Sequence, residues 1–249
     1  MTPAQAAALG LVQGVAEVVP VSSSAQLALL PDLLGWAPPP HRTAFAAALH
    51  TGSTVGIAWA LRHELRDLPP AAAAGLLASC LPAAAAGLLV DDAVERRLGG
   101  PRPTAALLGA AGALLLLADR RPARRGVGRT EAVLAAAAQV LALAPGVSRS
   151  GAVLTALRAR GVDREAAARH ALLMSLPVTA GASLLPLARA DRGVLRELAP
   201  LLAAGVPTAA LSGATAVTVR RRRPGRSATA AAVYRLGLAA AVLARRPAH

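Results

Sequence analysis

The sequence has no lysine, a single cysteine and almost no aromatic residues. One thiol makes no disulfide framework and no cysteine-based metal site. Cys80 sits inside an apolar run and reads as a small buried hydrophobe. The formal net charge of +14 raises the question of nucleic acid or an anionic surface. Nucleic-acid surfaces, however, set stacking aromatics among their positive charges, and only four residues here are Phe, Tyr or Trp. Charge itself is scarce: 16% of the 249 residues carry it, against about 25% in soluble domains. That is too little for a surface facing water. A hydrophobic content of 55% also excludes a disordered basic tail. The class left is integral membrane protein. The all-arginine basic set and the heavy alanine content read mainly as coding bias. The first basic side chain is Arg42, so the basic start of a secretory signal is missing, and the apolar runs are expected to belong to the mature protein.

Apolar runs are long and numerous. Residues 71–90, 104–118, 132–148, 171–188 and 198–219 carry no charge, 44–61 contain only His50, and 227–244 contain one cation, Arg235. A membrane span needs about 20 mostly apolar residues. Run 104–118 is short but rich in helix-forming Ala and Leu. The abundant Ala and Gly suit close helix packing in lipid. The links 62–70, 91–103, 119–131, 189–197 and 220–226 are short and charged. One integral membrane domain over 1–249 is therefore expected. Two links are strongly basic, one with Arg120, Arg121, Arg124, Arg125 and Arg129, the other with Arg220 to Arg223 and Arg226. The positive-inside rule places both in the cytoplasm.

Two segments break the pattern. Residues 9–31 and 135–157 each read as an apolar run, a proline, a serine-rich break and a second apolar run. Gln13 and Gln139 precede Pro20 and Pro145 at similar offsets. Ser22-Ser23-Ser24-Ala25 parallels Ser148-Arg149-Ser150-Gly151, about 126 residues later. Paired interrupted helices in two halves are the sign of an inverted repeat with its site at the breaks. The expected fold is thus an all-α polytopic membrane protein, an inverted repeat of roughly 1–125 and 126–249 with two re-entrant helix-loop-helix segments.

Few groups within the apolar segments can do chemistry. A carboxylate there costs about 2.5–3.5 kcal/mol, so Glu17 is expected to face a cavity or a partner. Gln13, four residues earlier, lies on the same helical face. Ser22, Ser23 and Ser24 taken alone read as a cap and turn. Arg149 changes that reading. It stands between Ser148 and Ser150, and its planar fork fits phosphate, with hydroxyls and freed amides completing an oxyanion cradle. His50 opens a His-Thr-Gly-Ser string and reads as a packing residue or as part of the same cavity. Arg235 reads as a buried clamp or as half of a structural ion pair. His41, His63, His170 and His249 are expected to be solvated. If the breaks meet, the site holds a carboxylate, hydroxyls and an arginine, which suits phosphoryl transfer. No His/Cys spacing for zinc and no Walker loop is present.

At this point the residues resemble the undecaprenyl-diphosphatase, or bacitracin-resistance, family. Gln13, Glu17, Pro20, Ser22 and Ser23 match its first motif, and residues 145–151, Pro-Gly-Val-Ser-Arg-Ser-Gly, match its second in full. Phe45 to Ser53, Met174 to Gly181 and Tyr234-Arg235 match more weakly. The resemblance implies a plasma-membrane hydrolase that removes the terminal phosphate of undecaprenyl diphosphate for the recycling of the cell-wall lipid carrier. It implies Ser23 as nucleophile, Glu17 as the essential acid and metal ligand, and Arg149 as the phosphate clamp. Gln13, Ser22, Ser24, Gln26, His50, Ser148, Ser150 and Gly151 are the expected phosphate-binding set, assisted by a divalent cation, Mg2+ or Ca2+. Expected partners are the polyprenyl diphosphate lipid, the bilayer and, in a homodimer, a second copy; nucleic acid is not among them. Two departures stand out. Ala25-Gln26 replaces the family's Gly-His, and Val153 replaces a threonine. Gln accepts no proton at neutral pH. Either Ser23 and Glu17 work without that histidine, or His50 substitutes, or the chain is an inactive paralogue or a non-hydrolytic lipid-phosphate flippase on the same fold.

Overall fold

The computed structural model describes residues 1–123, 125–222 and 227–245. Arg124, Arg223, Arg226 and His249 lie outside the described residues. The chain runs through α1 (Pro3–Val18), α2 (Ser23–Leu33), α3 (Arg42–Ala60), a short α4 (Arg62–Arg66), α5 (Pro70–Ala78) and α6 (Leu81–Leu98). It continues through α7 (Pro101–Asp119), α8 (Arg129–Ala138), a 3-10 turn (Gln139–Leu143), α9 (Arg149–Ala159), α10 (Arg164–Arg189), α11 (Arg192–Arg222) and α12 (Ser227–Ala244). Among the described residues the only extended pairing is an isolated bridge between Arg125 and Val162. Four stretches are long and apolar enough to cross a membrane: Pro70–Val90, Pro101–Asp119, Arg164–Arg189 and Arg192–Arg222. The chain is an all-α, multi-pass membrane protein.

The helices reach further into the charged links than hydropathy suggests. Run 104–118 is the body of the 19-residue α7. Arg220, Arg221 and Arg222 complete the last turn of α11, where cations meet the negative end of the helix dipole. Run 132–148, by contrast, is not one helix: α8 gives way to the 3-10 turn and then to the break.

Close packing sets the frame for α1 and α3. Both lie against α11 through small residues. A Cβ on Gly14 of α1 would stand 2.1 Å from Ser212 Oγ and 2.4 Å from the Ala209 carbonyl oxygen. Thr208 and Ser212 of α11 donate to the carbonyls of Ala7 and Gly10 at 3.1 and 3.3 Å. Hydroxyls thus bind across helices where backbones approach, as expected for packing in lipid.

Each broken segment folds back on itself. Leu27 and Leu30 of α2 pack against the cluster of Ala6, Leu9 and Phe45 near the start of α1. Ala135 of α8 shares a cluster with Val153, Leu154 and Leu157 of α9. α12 relates the two hairpins. At its end Arg245 donates to the Leu33 carbonyl at the close of α2, 3.0 Å away. At its start Thr229 donates to Asp119 at 3.1 Å, and Asp119 also binds Arg158 of α9. The hairpins therefore open towards opposite ends of α12.

Asp119 is the main electrostatic joint. Its Oδ1 accepts from Arg158 Nε and from Arg164 Nε, each at 2.9 Å, while Oδ2 takes Thr229. One carboxylate therefore joins α7, α9, α10 and α12. Arg158 is 1% exposed, and its remaining N–H groups meet the carbonyls of Val162, Asp119 and Arg121. Glu64 makes a second joint between Arg169 of α10 and Arg221 of α11.

A buried guanidinium stripped of its carboxylate is costly. Asp119→Ala should destabilise the protein by about 3–5 kcal/mol. In detergent this appears as a large fall in thermal midpoint, whereas Arg160→Ala, at a half-exposed pair with Glu131, should change it little. Equal small shifts for both variants would show that Asp119 is not the joint.

Candidate active site

α1 stops at Val18 because proline ends it. Pro20 has no N–H, and the residue before a proline is pushed out of the helical region. Val19 accordingly has φ −91° and ψ 130°. The chain then reverses through Ser22, which carries φ +68°, and α2 begins at Ser23. The second break repeats the device: Ser148, just before α9, has φ +72°. A left-handed non-glycine residue costs about 1–3 kcal/mol and collects at functional sites. Both breaks also pair their outer hydroxyls, Ser22 with Ser24 at 3.3 Å and Ser148 with Ser150 at 3.4 Å.

Glu17 is the centre of the first break. It is 6% exposed, in the last turn of α1. Its Oε1 accepts from Ser23 Oγ at 2.8 Å and from Gln13 Nε2 at 2.9 Å, and lies 2.6 Å from His50 Nδ1. Gln13 Nε2 is also 2.8 Å from His50 Nδ1 and 3.4 Å from Ser53 Oγ. The helical spacing of four aligns Gln13 with Glu17, and α3 supplies His50 and Ser53 from the facing side. A carboxylate, an imidazole and a hydroxyl thus share one buried point. A hydroxyl donating to a buried carboxylate is the arrangement of a nucleophile with its base. Among the described residues every hydrogen bond to Glu17 falls on Oε1, and Gln13 Oε1 is buried without a partner.

Arg149 heads α9 and is half-buried. Among the described residues it makes no hydrogen bond to Glu17, whose Oε1 is taken by Ser23 and Gln13. The start of a helix exposes N–H groups that favour anions, and both α2 and α9 start at the breaks. Ser148 Oγ accepts one such N–H, from Gly151, at 3.2 Å. Gly146 tolerates its φ of +93° because it lacks a Cβ, which would also stand 2.3 Å from the Thr104 carbonyl of α7.

Arg235 of α12 joins the two breaks, and among the described residues it does so without an ion pair. It is fully buried. Its guanidinium donates to the Pro20 carbonyl at 3.5 Å, the Gly146 carbonyl at 3.1 Å and the Val147 carbonyl at 2.7 Å. The glycine at 151 leaves room for it, since a Cβ there would stand 2.7 Å from Arg235 Nη1. The clamp reading is the one that matches this geometry, and its object is backbone. Its target is invisible in sequence because carbonyls leave no residue signature.

Other residues lie elsewhere. Gln26 is buried, and its amide is engaged by two groups outside the Glu17 cluster: Nε2 donates to the Val21 carbonyl at 3.0 Å, and Oε1 accepts from Tyr234 at 2.7 Å. Gln139 does not mirror Gln13 in contact; it donates to the Ser79 carbonyl at 2.9 Å, between α5 and α6. His41 and His63 are exposed and His170 is partly covered. Ser53 joins the polar cluster although sequence reasoning singled out only its neighbour His50; its place one turn further along α3 was the available signal.

Comparison with known proteins shows the family. A family model described as Bacitracin resistance protein BacA matches residues 6–241. The chain is 39% identical to the undecaprenyl-diphosphatase of Gemmatimonas aurantiaca, over 98% of both proteins. It is 38% identical to that of Geobacter metallireducens over 88% of both, and 39% identical to that of Geobacter sulfurreducens over 96% of both.

Arg235→Met removes the donor from three carbonyls at the two breaks. Hydrogen bonds to charged groups contribute about 1.5–3 kcal/mol each, so this variant should lose at least about 2 kcal/mol and expose both breaks together. Amide exchange should accelerate at residues 21–23 and 147–149 alike. Acceleration in one break only would show that Arg235 does not join them.

Proposed function

The chain belongs to the bacitracin-resistance protein BacA family, and on that premise we propose how it works. It is an undecaprenyl-diphosphatase: it removes the terminal phosphate of undecaprenyl diphosphate and returns undecaprenyl phosphate to cell-wall synthesis. The observation that carries the catalytic reading is the 2.8 Å hydrogen bond from Ser23 Oγ to buried Glu17. Ser23 Oγ attacks the terminal phosphorus while Glu17 takes its proton. The bridging P–O bond breaks, its electron pair leaves on undecaprenyl phosphate, and Glu17 passes the proton to that oxygen. Water then attacks the phosphoserine; Glu17 accepts its proton and returns it to Ser23 as inorganic phosphate departs. His50 and Gln13 orient the Glu17 carboxylate by sharing Oε1. Arg149 and the amides at the starts of α2 and α9 neutralise the phosphate oxygens. Ser22, Ser24, Ser148 and Ser150 complete the cradle.

A divalent cation, Mg2+ or Ca2+, is part of the proposed scheme. Among the described residues no group of three His, Cys, Asp or Glu side chains could hold a metal by itself. Mg2+ is commonly held by one or two carboxylates plus substrate phosphates, and Glu17 Oε2 is the carboxylate oxygen available for this. Such an ion would draw charge from the phosphates.

The same premise supports a topology. α1–α2 and α8–α9 are read as re-entrant pairs of an inverted repeat. The shared left-handed serines, the shared hydroxyl pairs and the opposed openings along α12 support this. The rim bearing Arg120, Arg121, Arg221 and Arg222 is assigned to the cytoplasm of the bacterial plasma membrane.

Purified protein in detergent should release phosphate from undecaprenyl diphosphate. Ser23→Ala and Glu17→Gln should each cut kcat by at least about a hundredfold, and Arg149→Ala should do the same. Phosphate release that survives Ser23→Ala but not Glu17→Gln would move the nucleophile from the hydroxyl to water. A chelator should abolish release, and added Mg2+ or Ca2+ should restore it; full activity in chelator would remove the cation from the scheme.

A further inference from the structure

A cavity of about 250 Å3 opens on the arginine rim, among the starts of α10 and α12 and the ends of α3, α7 and α11. Its floor is apolar: Leu154, Leu172, Leu173 and Val217 are all buried. Its mouth is charged, with Arg164, Arg169 and Arg221 standing there half-exposed. That volume is below the roughly 300–1,000 Å3 of drug-sized ligand sites and suits a small ion or a headgroup.

The charges in the wall do not balance. Five guanidiniums, those of Arg158, Arg164, Arg169, Arg220 and Arg221, face three carboxylates, those of Glu64, Asp119 and Glu165. Two of the carboxylates are shared: Asp119 between Arg158 and Arg164, and Glu64 between Arg169 and Arg221. Each of these joints therefore keeps one positive charge in excess. Arg220 is half-buried in the wall and makes no ion pair or hydrogen bond among the described residues. Arg164 uses Nε and Nη2 on Asp119, which leaves its Nη1 without an acceptor there. Cations on an open rim are hydrated. Here they stand over buried leucines, where water screens them less and an anion is held more strongly.

The cavity is separate from the cradle at the breaks. Arg220 also lines a gap of about 10 Å3 that reaches Pro20 and Ser150. Such a gap has room for about one water, and Leu154, Ala168 and Leu172 line both it and the cavity. A phosphate held at Ser23 and an anion held at Arg220 are thus two different ligands.

We propose that this cavity binds one phosphate group carrying two negative charges, with N–H groups of Arg164 and Arg220 as its donors. The excess of two positive charges matches a phosphomonoester or inorganic phosphate better than a phosphodiester, which carries a single charge. A lipid monoester in the adjoining leaflet and free phosphate share that chemistry. Nothing in the site depends on hydrolysis at Ser23.

In detergent, wild-type protein should bind two radiolabelled inorganic phosphates, and Arg149→Ala protein, with its cradle disabled, should bind one. Adding Arg220→Gln to Arg149→Ala should weaken the remaining binding at least about tenfold. Adding Glu165→Gln instead should tighten it about threefold, a change that a damaged fold does not produce. No phosphate on the Arg149→Ala protein, equal binding with and without Arg220→Gln, or unchanged or weaker binding on Glu165→Gln overturns the site. In an otherwise wild-type chain, Arg220→Gln should leave kcat for undecaprenyl diphosphate within about twofold; a hundredfold loss would merge Arg220 with the cradle and remove the second site. Phosphatidate in mixed micelles decides the source: displacement of the labelled phosphate assigns the site to a lipid headgroup, and retention assigns it to free phosphate. Equal displacement by phosphatidylglycerol, a phosphodiester, or by chloride at matched ionic strength overturns the match to a dianion.

Discussion

The structure depends on one constraint: two interrupted helices must bring unpaired backbone groups together inside an apolar protein. Unsatisfied carbonyls and N–H groups cost several kcal/mol each in such surroundings. Arg235 meets much of that cost. Its fork takes the Pro20 carbonyl from one break and the Gly146 and Val147 carbonyls from the other. A lysine has no planar fork to span both. The close contacts at Gly146 and Gly151 follow from the same demand, since side chains there would occupy the space of the Thr104 carbonyl and of the guanidinium.

Around that junction the two hairpins have different work. The first carries the carboxylate and the hydroxyl, joined at Glu17 by contributions from α1, α2 and α3. The second carries a cation and a helix start. Separating the carboxylate from the arginine keeps them from forming a closed ion pair, so each remains available to a third group. The rim near Asp119 shows the contrasting case. There carboxylate and guanidinium meet directly at 2.9 Å, in a joint that binds four helices and leaves Arg158 fully engaged.

Much of this was legible in the sequence. Glu17 and Arg149 stand out because a charge in an apolar segment is expensive and therefore purposeful. The interrupted segments stand out because proline and serine punctuate runs that would otherwise continue. Arg235 was visible as a misplaced cation, yet its role was not, because its partners are main-chain atoms. Gln26 was expected near the phosphates on the strength of its position in the motif, and the structure engages its amide with Tyr234, which lies 208 residues away. Contacts of that separation have no local pattern to reveal them. The helix ends in the charged links were missed for a related reason: arginine favours the last turn of a helix while lowering its hydropathy.

The sequence by itself determined the compartment, the helical class and the candidate groups, because composition, periodicity and misplaced charge are properties of a chain read in one dimension. Tertiary structure decided which of those groups meet. Ser23, Gln13 and His50 converge on a single oxygen of Glu17, while Gln139 and Gln26 turn elsewhere. Convergence within 3 Å depends on how helices cross and where the backbone reverses at Ser22 and Ser148. Those are features of packing, and packing is settled among residues distant in the chain.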